Sequence, residues 1–275
     1  MTVGTKELHT STTHRSTRRG FMPVFCGGFV NFGHWQGIPL DRELSLTDRI
    51  DSHRALYRLV LRAIEVTESG RLLDIGCGRG HGAALAMREF MPAEAHGVDT
   101  RTTRIERARH ENAGTARNYN GRLTYEVGSG KSLPYPDQYF DRVVSVQAVQ
   151  EIADLSAIAA ETSRAMRGGG RLAIASFFST APEPGLDDLP ALSKLLADGL
   201  CYAHPVTALE DQLAANGFTG IKVASIGAHV WSGLDVWLAH TDLDQHLART
   251  WLQAYRRGLL DYCVVTASMT EGRGE

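Results

Sequence analysis

Short apolar runs alternate with helix-forming stretches along most of this chain. In Arg71-Leu-Leu-Asp-Ile75 the apolar residues are contiguous, with no alternating polar face, as a strand covered on both sides requires. The alanine-rich stretch after it (Ala83, Ala84, Ala86) suits a helix packed on a sheet. Glu94 to Asp99 reads as a second short strand ending in an acid, and Thr103 to Ala116 as a charged helix. Leu123 to Val127 alternates like a third strand, and the β-branched Arg142 to Val146 makes a fourth. A helix over Leu155 to Met166 is stopped by Gly168-Gly169-Gly170, before a fifth strand over Arg171 to Phe177. Thr207 to Asn216 is a further helix ended by Gly217, Thr219 to Ile226 a sixth strand and Asp261 to Ser268 the last. Strand, helix and strand in repetition argue for an α/β fold: a doubly wound, mostly parallel seven-stranded sheet.

The remaining segments divide the chain. Residues 1–20 are rich in Thr, Ser, Arg and His, lack apolar periodicity and read as a mobile tail. Residues 21–69 read as an amino-terminal helical lid, and 70–275 as the core. Two cap segments are inserted in that core, 178–205 and 227–258. The second holds Trp231, Trp237, Trp251 and Tyr255 where a simple sheet needs only a short link.

Composition narrows the function more by exclusion. With 275 residues and 43% apolar content, one large α/β unit with a sizeable core is expected. A net charge of −2 offers no basic surplus for nucleic acid. No apolar run reaches membrane-spanning length. Thr17-Arg-Arg-Gly-Phe-Met22 has a twin arginine, but Pro23, Asn31, His34 and Trp35 interrupt any apolar region behind it. Cys26, Cys77, Cys201 and Cys263 show no paired spacing, so neither a disulfide framework nor a zinc site is expected. The expectation is a cytoplasmic protein acting on a small molecule, without nucleic acid, membrane or metal, as a monomer or homodimer.

The chemistry concentrates where the first strand ends. Gly76, Gly78 and Gly80 recur at every second position after Asp74, and a chain without Cβ atoms can turn sharply and bring its amides close to a ligand. Gly78, Gly80 and Ala83, with Asp99 about 20 residues on, can be fitted to the dinucleotide fingerprint. On the glycines alone a nicotinamide cofactor and S-adenosylmethionine are nearly tied. Asp74 separates them. A carboxylate beside a pyrophosphate adds charge to an anion, whereas S-adenosylmethionine carries an ammonium and a sulfonium and no phosphate.

Leu73-Asp-Ile-Gly-Cys-Gly-Arg-Gly80 resembles the first motif of the class I S-adenosylmethionine-dependent methyltransferases. Leu133-Pro-Tyr-Pro-Asp-Gln-Tyr-Phe-Asp141 resembles the same family's linker into strand four. Phe29-Val-Asn-Phe-Gly-His-Trp35 is similar to the segment that folds over the cofactor in its small-molecule, natural-product members. The resemblance implies a Rossmann-like methyltransferase fold, with S-adenosylmethionine as cofactor and S-adenosylhomocysteine as product. It implies cofactor contacts from Asp74, Gly76, Cys77, Gly78, Gly80, Asp99, Thr100, Gly128, Ser129, Gln147 and Trp35. Asp99 would hold the ribose diol. Where the family often has Gly-Asp-Ala for adenine, this chain has Gly128-Ser129-Gly130, so Ser129 would offer adenine an uncharged acceptor. Phe25, Phe29, Phe32, Gln150, Trp231 and Trp237 would line the substrate cavity. His34, Glu151, His229 and Tyr255 are the candidate bases, with His204 beside them; Glu151 could equally cap a helix near Asp154. The implied reaction is methyl transfer to an O, N or C nucleophile of a small, largely apolar or aromatic metabolite. Rival readings are a nicotinamide-dependent oxidoreductase and a catalytically inactive methyltransferase-like binding protein.

Overall fold

A computed structural model describes residues 23–181, 196, 201–241 and 245–271, with the side chains of 245–249 left out. The expected tail over 1–20 and most of the 178–205 segment lie outside the described residues. Ser45 opens helix α1 (Leu46–Ala63) with a capping box, its hydroxyl accepting from the Asp48 amide while Asp48 reaches back. Strand β1 (Arg71–Ile75), helix α2 (His81–Glu89) and strand β2 (Glu94–Asp99) follow. The helix expected after β2 breaks in two, α3 (Thr102–Glu111) and α4 (Ala113–Asn118). Asn112, at the break, turns its side-chain amide to the carbonyls of Ala108 and Arg79, at 2.9 Å each. It thereby ties this helix pair to the glycine loop.

Strands β3 (Leu123–Val127) and β4 (Phe140–Val146) lead through a short 3-10 turn to helix α5 (Leu155–Ala165) and strand β5 (Met166–Ser179). The three glycines expected to stop the helix lie inside β5. Against β4 the register moves from Phe140–Met166 to Arg142–Arg171, so Gly168 to Gly170 are looped out of the ladder as a bulge. Helix α6 (Val206–Ala215), strand β6 (Phe218–Ser225), helices α7 (Trp231–Leu238) and α8 (Gln245–Arg256) and strand β7 (Leu260–Met269) complete the order.

The sheet runs β3-β2-β1-β4-β5-β7-β6. Its first five strands pair in parallel, and β7 enters antiparallel between β5 and β6. Neighbouring residues on a strand feed opposite layers, as the pleat dictates. Leu72, Val144, Ala173 and Val264 join the core under α1, α2, α7 and α8. Leu73, Val143, Leu172 and Val265 join the one under α5 and α6. The carboxyl ends of β1, β2 and β4 lie side by side where the winding reverses, the place at which open α/β sheets bind ligands.

Candidate functional site

Asp74 ends the apolar part of β1 and is fully buried. The Tyr57 hydroxyl of α1 donates to its Oδ2 at 3.4 Å, and Oδ1 has no hydrogen-bond partner. Burial, aided by the charge on Asp99 and opposed by the Tyr57 hydroxyl and the nearby Ala83 amide, pushes its pKa up to about 8. The three glycines above it have different surroundings. A Cβ at Gly80 would fall 2.4 Å from the Tyr125 ring, whereas at Gly78, with φ of +56°, it would meet nothing within 4 Å. The open space is over Gly78. Cys77 turns its thiol inward against Gly97, where burial raises the pKa, so only its backbone is available to a ligand.

Asp99 ends β2 and is held by three donors. Its Oδ1 accepts from the Arg101 amide at 3.0 Å, and its Oδ2 from the Gly78 amide at 3.1 Å and the Arg104 guanidinium at 3.2 Å. Arg104 also reaches Glu151 at 4.0 Å, and Arg101 does so at 3.7 Å. These ion pairs cross from the β2 side of the cleft to the β4 side. Glu151 is therefore exposed and paired, and Asp154 is the residue that caps α5, accepting from the Ala157 amide.

Gln147 follows β4 with φ of +56°, a left-handed conformation uncommon for a residue with a side chain. The Tyr262 hydroxyl donates to its Oε1 at 2.7 Å. Its carbonyl accepts from Gln150 Nε2 at 2.8 Å, and Gln150 Oε1 accepts from the Ser176 hydroxyl at 2.7 Å. Gln150 is buried with both ends of its amide engaged, so it braces Gln147 and does not line a cavity. A narrow cleft, open to solvent on one side, joins Gly76, Gly78, Gln147, Glu151, Tyr57 and Phe29. Gly128 lies behind Asp99, its amide on the Asp99 carbonyl at 3.1 Å. The Ser129 hydroxyl accepts from Lys131 within its own loop, and Thr100 is exposed beside Asp99.

The amino-terminal segment covers one side of this cleft. Gly28 abuts the His81 ring so closely that a Cβ would overlap it, and Phe29 packs on Tyr57 and His81. Phe32 sits among Phe177, Trp231, Trp251 and Tyr262, with ring centroids 5.4 to 6.3 Å away. Three expected contacts lie elsewhere because packing claims them. Trp35 is pressed on Gly233 and under Arg49, Phe25 lies against Arg49 and His53, and Trp237 is buried with its indole donating to the Pro23 carbonyl. His34 and His229 meet edge to face at 5.3 Å, and burial followed by the charge of His229 lowers the pKa of His34. Tyr255 lies beside Trp231 at 6.4 Å, and His204 is spent on the Ile152 carbonyl at 2.7 Å.

Tyr57, Arg104 and Tyr262 were not singled out from sequence. Tyr57 and Tyr262 sit in apolar stripes of α1 and β7 that look like core. Arg104 is one of several arginines on α3, and only its place one turn beyond Asp99 sets it apart. Among the described residues no three His, Cys, Asp or Glu side chains could share a metal ion, and no helix is long and apolar enough to cross a membrane.

A family model described as a methyltransferase domain matches residues 73–174, from β1 into β5. The fatty-acid O-methyltransferase of Mycolicibacterium smegmatis is 31% identical over 173 residues, which cover 62% of this chain and 58% of that protein. The erythromycin 3''-O-methyltransferase of Saccharopolyspora erythraea is 26% identical over 224 residues, 77% of this chain and 69% of that protein. A solved geranyl diphosphate methyltransferase in complex with S-adenosylmethionine aligns with a TM-score of 0.76 over 90% of this chain and all of that one. Its 16% identity makes this a likeness of fold. The matched segment coincides with the acid-tipped strands and the glycine loop, so residues 73–174 are similar to a methyltransferase domain.

Proposed function

We propose that this protein methylates an O, N or C nucleophile of a small, largely apolar or aromatic metabolite. The observation that carries the reading is the unpartnered, buried Oδ1 of Asp74 at the end of β1, just ahead of the glycine loop whose Gly76 and Gly78 line the cleft. A buried carboxylate short of a hydrogen bond fits an ammonium and rejects a pyrophosphate. Asp74 would take the amino group of S-adenosylmethionine, and Asp99 its ribose diol. A carboxylate has about four lone-pair sites, and three donors already use Asp99. A diol needs two, so Arg104 would leave Asp99 and turn to Glu151, already within reach.

The cofactor supplies a methyl group activated by its sulfonium, so the protein's task is positioning for in-line displacement. Phe29 and the glycine loop form two walls of the cleft. The aromatic cluster around Phe32 supports an apolar substrate, and its nearness to Tyr262 and Gln147 puts it next to the cofactor cleft. His34, kept neutral by burial and paired with His229, is able to accept a proton from a hydroxyl nucleophile. Oxygen methylation is the activity in the names of the fatty-acid and erythromycin relatives, which favours a hydroxyl or carboxyl acceptor here.

Calorimetry with S-adenosylhomocysteine and with NADH tests the cofactor. Saturable binding of the first alone is expected, and the reverse pattern would sink the reading. A panel of medium-chain acids, alcohols and phenols with methyl-labelled S-adenosylmethionine tests the substrate class; label in polar amines alone would contradict it.

A further inference from the structure

We infer that Tyr262 is a positioning residue that turns the side-chain amide of Gln147 so that its Nε2 donors face the carboxylate of the bound cofactor. The inference rests on the S-adenosylmethionine reading above and assigns a task to the antiparallel strand β7. Gln147 is pinned at every other point. Its backbone amide donates to the Ala175 carbonyl at 2.8 Å, its carbonyl accepts from Gln150, and its left-handed backbone is held by that bracing. The remaining freedom is rotation of the terminal amide, which would exchange a donor for an acceptor on the cleft side.

Tyr262 removes that freedom. Its ring is fully buried among Phe32 and Trp231, and its hydroxyl lies 2.7 Å from Gln147 Oε1. A hydroxyl facing an amide oxygen donates; facing the NH₂ group it would have to accept, and its own proton would then be buried without a partner. Burial keeps the phenol protonated. The Gln147 oxygen is thus fixed inward, and nothing among the described residues accepts from its Nε2. That nitrogen belongs to a residue lining the same cleft as Gly76 and Gly78. A donor-only group there suits an oxygen anion and repels an ammonium. With the buried acid Asp74 at the neighbouring strand end, the two ends of an amino acid are told apart: ammonium on Asp74, carboxylate on Gln147.

The probes that test this are S-adenosylhomocysteine and 5′-methylthioadenosine, which share the nucleoside and differ by the amino acid end. Tyr262→Phe should lose roughly tenfold in affinity for S-adenosylhomocysteine, with the affinity for 5′-methylthioadenosine unchanged. Gln147→Glu keeps an acceptor for the Tyr262 hydroxyl, and so keeps the fold, but presents a carboxylate to the ligand's carboxylate. It should lose more, again for S-adenosylhomocysteine alone. A residue of purely structural importance would weaken both ligands together, and that result, or no change in either, overturns the inference. If Tyr262→Phe does not fold, the selectivity of Gln147→Glu decides. If the wild-type protein binds neither nucleoside, the cofactor reading itself falls; if it binds both and the variants keep the wild-type ratio, only the role of Tyr262 falls.

Discussion

Asp74 reaches no water and has one oxygen without a partner, so its charged form gains full stabilisation only from a cation brought by a ligand. The sign of its effect on stability follows. Its ordinary value is 3.8, and the fold raises it to about 8. Between those limits the native protein holds a proton that the unfolded chain has released. Stability therefore falls as pH rises through this window, by at most about 1.4 kcal/mol per pH unit. Asp74→Asn removes the titration while keeping the shape. At pH 8 the variant should melt no lower than the wild type, and its melting temperature should depend less on pH, while its affinity for S-adenosylhomocysteine falls at least roughly tenfold. A variant that melts well below wild type at pH 8 would show that the carboxylate is structural. Asp74 was legible in the sequence because a charge ending an apolar run is conspicuous. Its partner Tyr57 was not, since a tyrosine in the apolar stripe of a helix reads as core.

Glycine loop and amino-terminal segment are the elements that build the cleft, and both contain residues that look equivalent in sequence and are not. Gly78→Ala adds a Cβ in a left-handed position with nothing within 4 Å, a cost of roughly 1–2 kcal/mol. Gly80→Ala adds the same strain and an overlap with Tyr125, whose hydroxyl donates to the Gly80 carbonyl at 2.7 Å, for roughly 1–3 kcal/mol more. Urea unfolding should rank Gly80→Ala as the less stable variant. Calorimetry should find Gly78→Ala the one that loses S-adenosylhomocysteine binding out of proportion to its stability. Equal effects on both measurements would remove the distinction. In the amino-terminal segment the aromatic pattern over Phe29 to Trp35 marked a cover, but its fastening comes from α1. Arg49 is fully buried and donates to the carbonyls of Val24, Asn31 and Phe32, and among the described residues no carboxylate pairs with it. Burial lowers its pKa to about 9. Arg49→Leu takes the guanidinium from the Val24 and Asn31 carbonyls, while the Phe32 carbonyl keeps the Trp35 indole, and should cost about 2–3 kcal/mol. Limited proteolysis should then cut first between residues 23 and 45, and cleavage starting elsewhere would deny Arg49 this role. Nothing in the sequence separates Arg49 from Arg54 or Arg58, which lie half-buried on the same helix and pair with Asp51 and Glu89, because burial of a guanidinium depends on carbonyls brought from a distant segment.

Across the whole molecule, the five parallel strands were readable because the runs of β1, β2 and β4 are each followed by a helix that returns the chain to the same edge, and the long loop with two prolines does so after β3. The position of β7 between β5 and β6 was not, since an apolar run over residues 261–268 does not announce its neighbours or its direction. That placement brings Tyr262 under Gln147 and so links the far end of the chain to the glycine loop. Binding at the loop should therefore stabilise the molecule as a unit. At a concentration of S-adenosylhomocysteine 100 times its dissociation constant at pH 8, linkage gives about 2.7 kcal/mol. For a domain of this size that is a rise of roughly 5–10 °C in melting temperature. At pH 6 the proton on Asp74 competes with the ligand's ammonium, and each pH unit below about 8 weakens binding by up to tenfold. The same concentration should then shift the melting temperature by about 1–2 °C or less. NADH should produce no shift at either pH. A shift for S-adenosylhomocysteine of equal size at pH 6 and pH 8 would mean that no proton leaves Asp74 on binding, and that the ammonium is held by some other group.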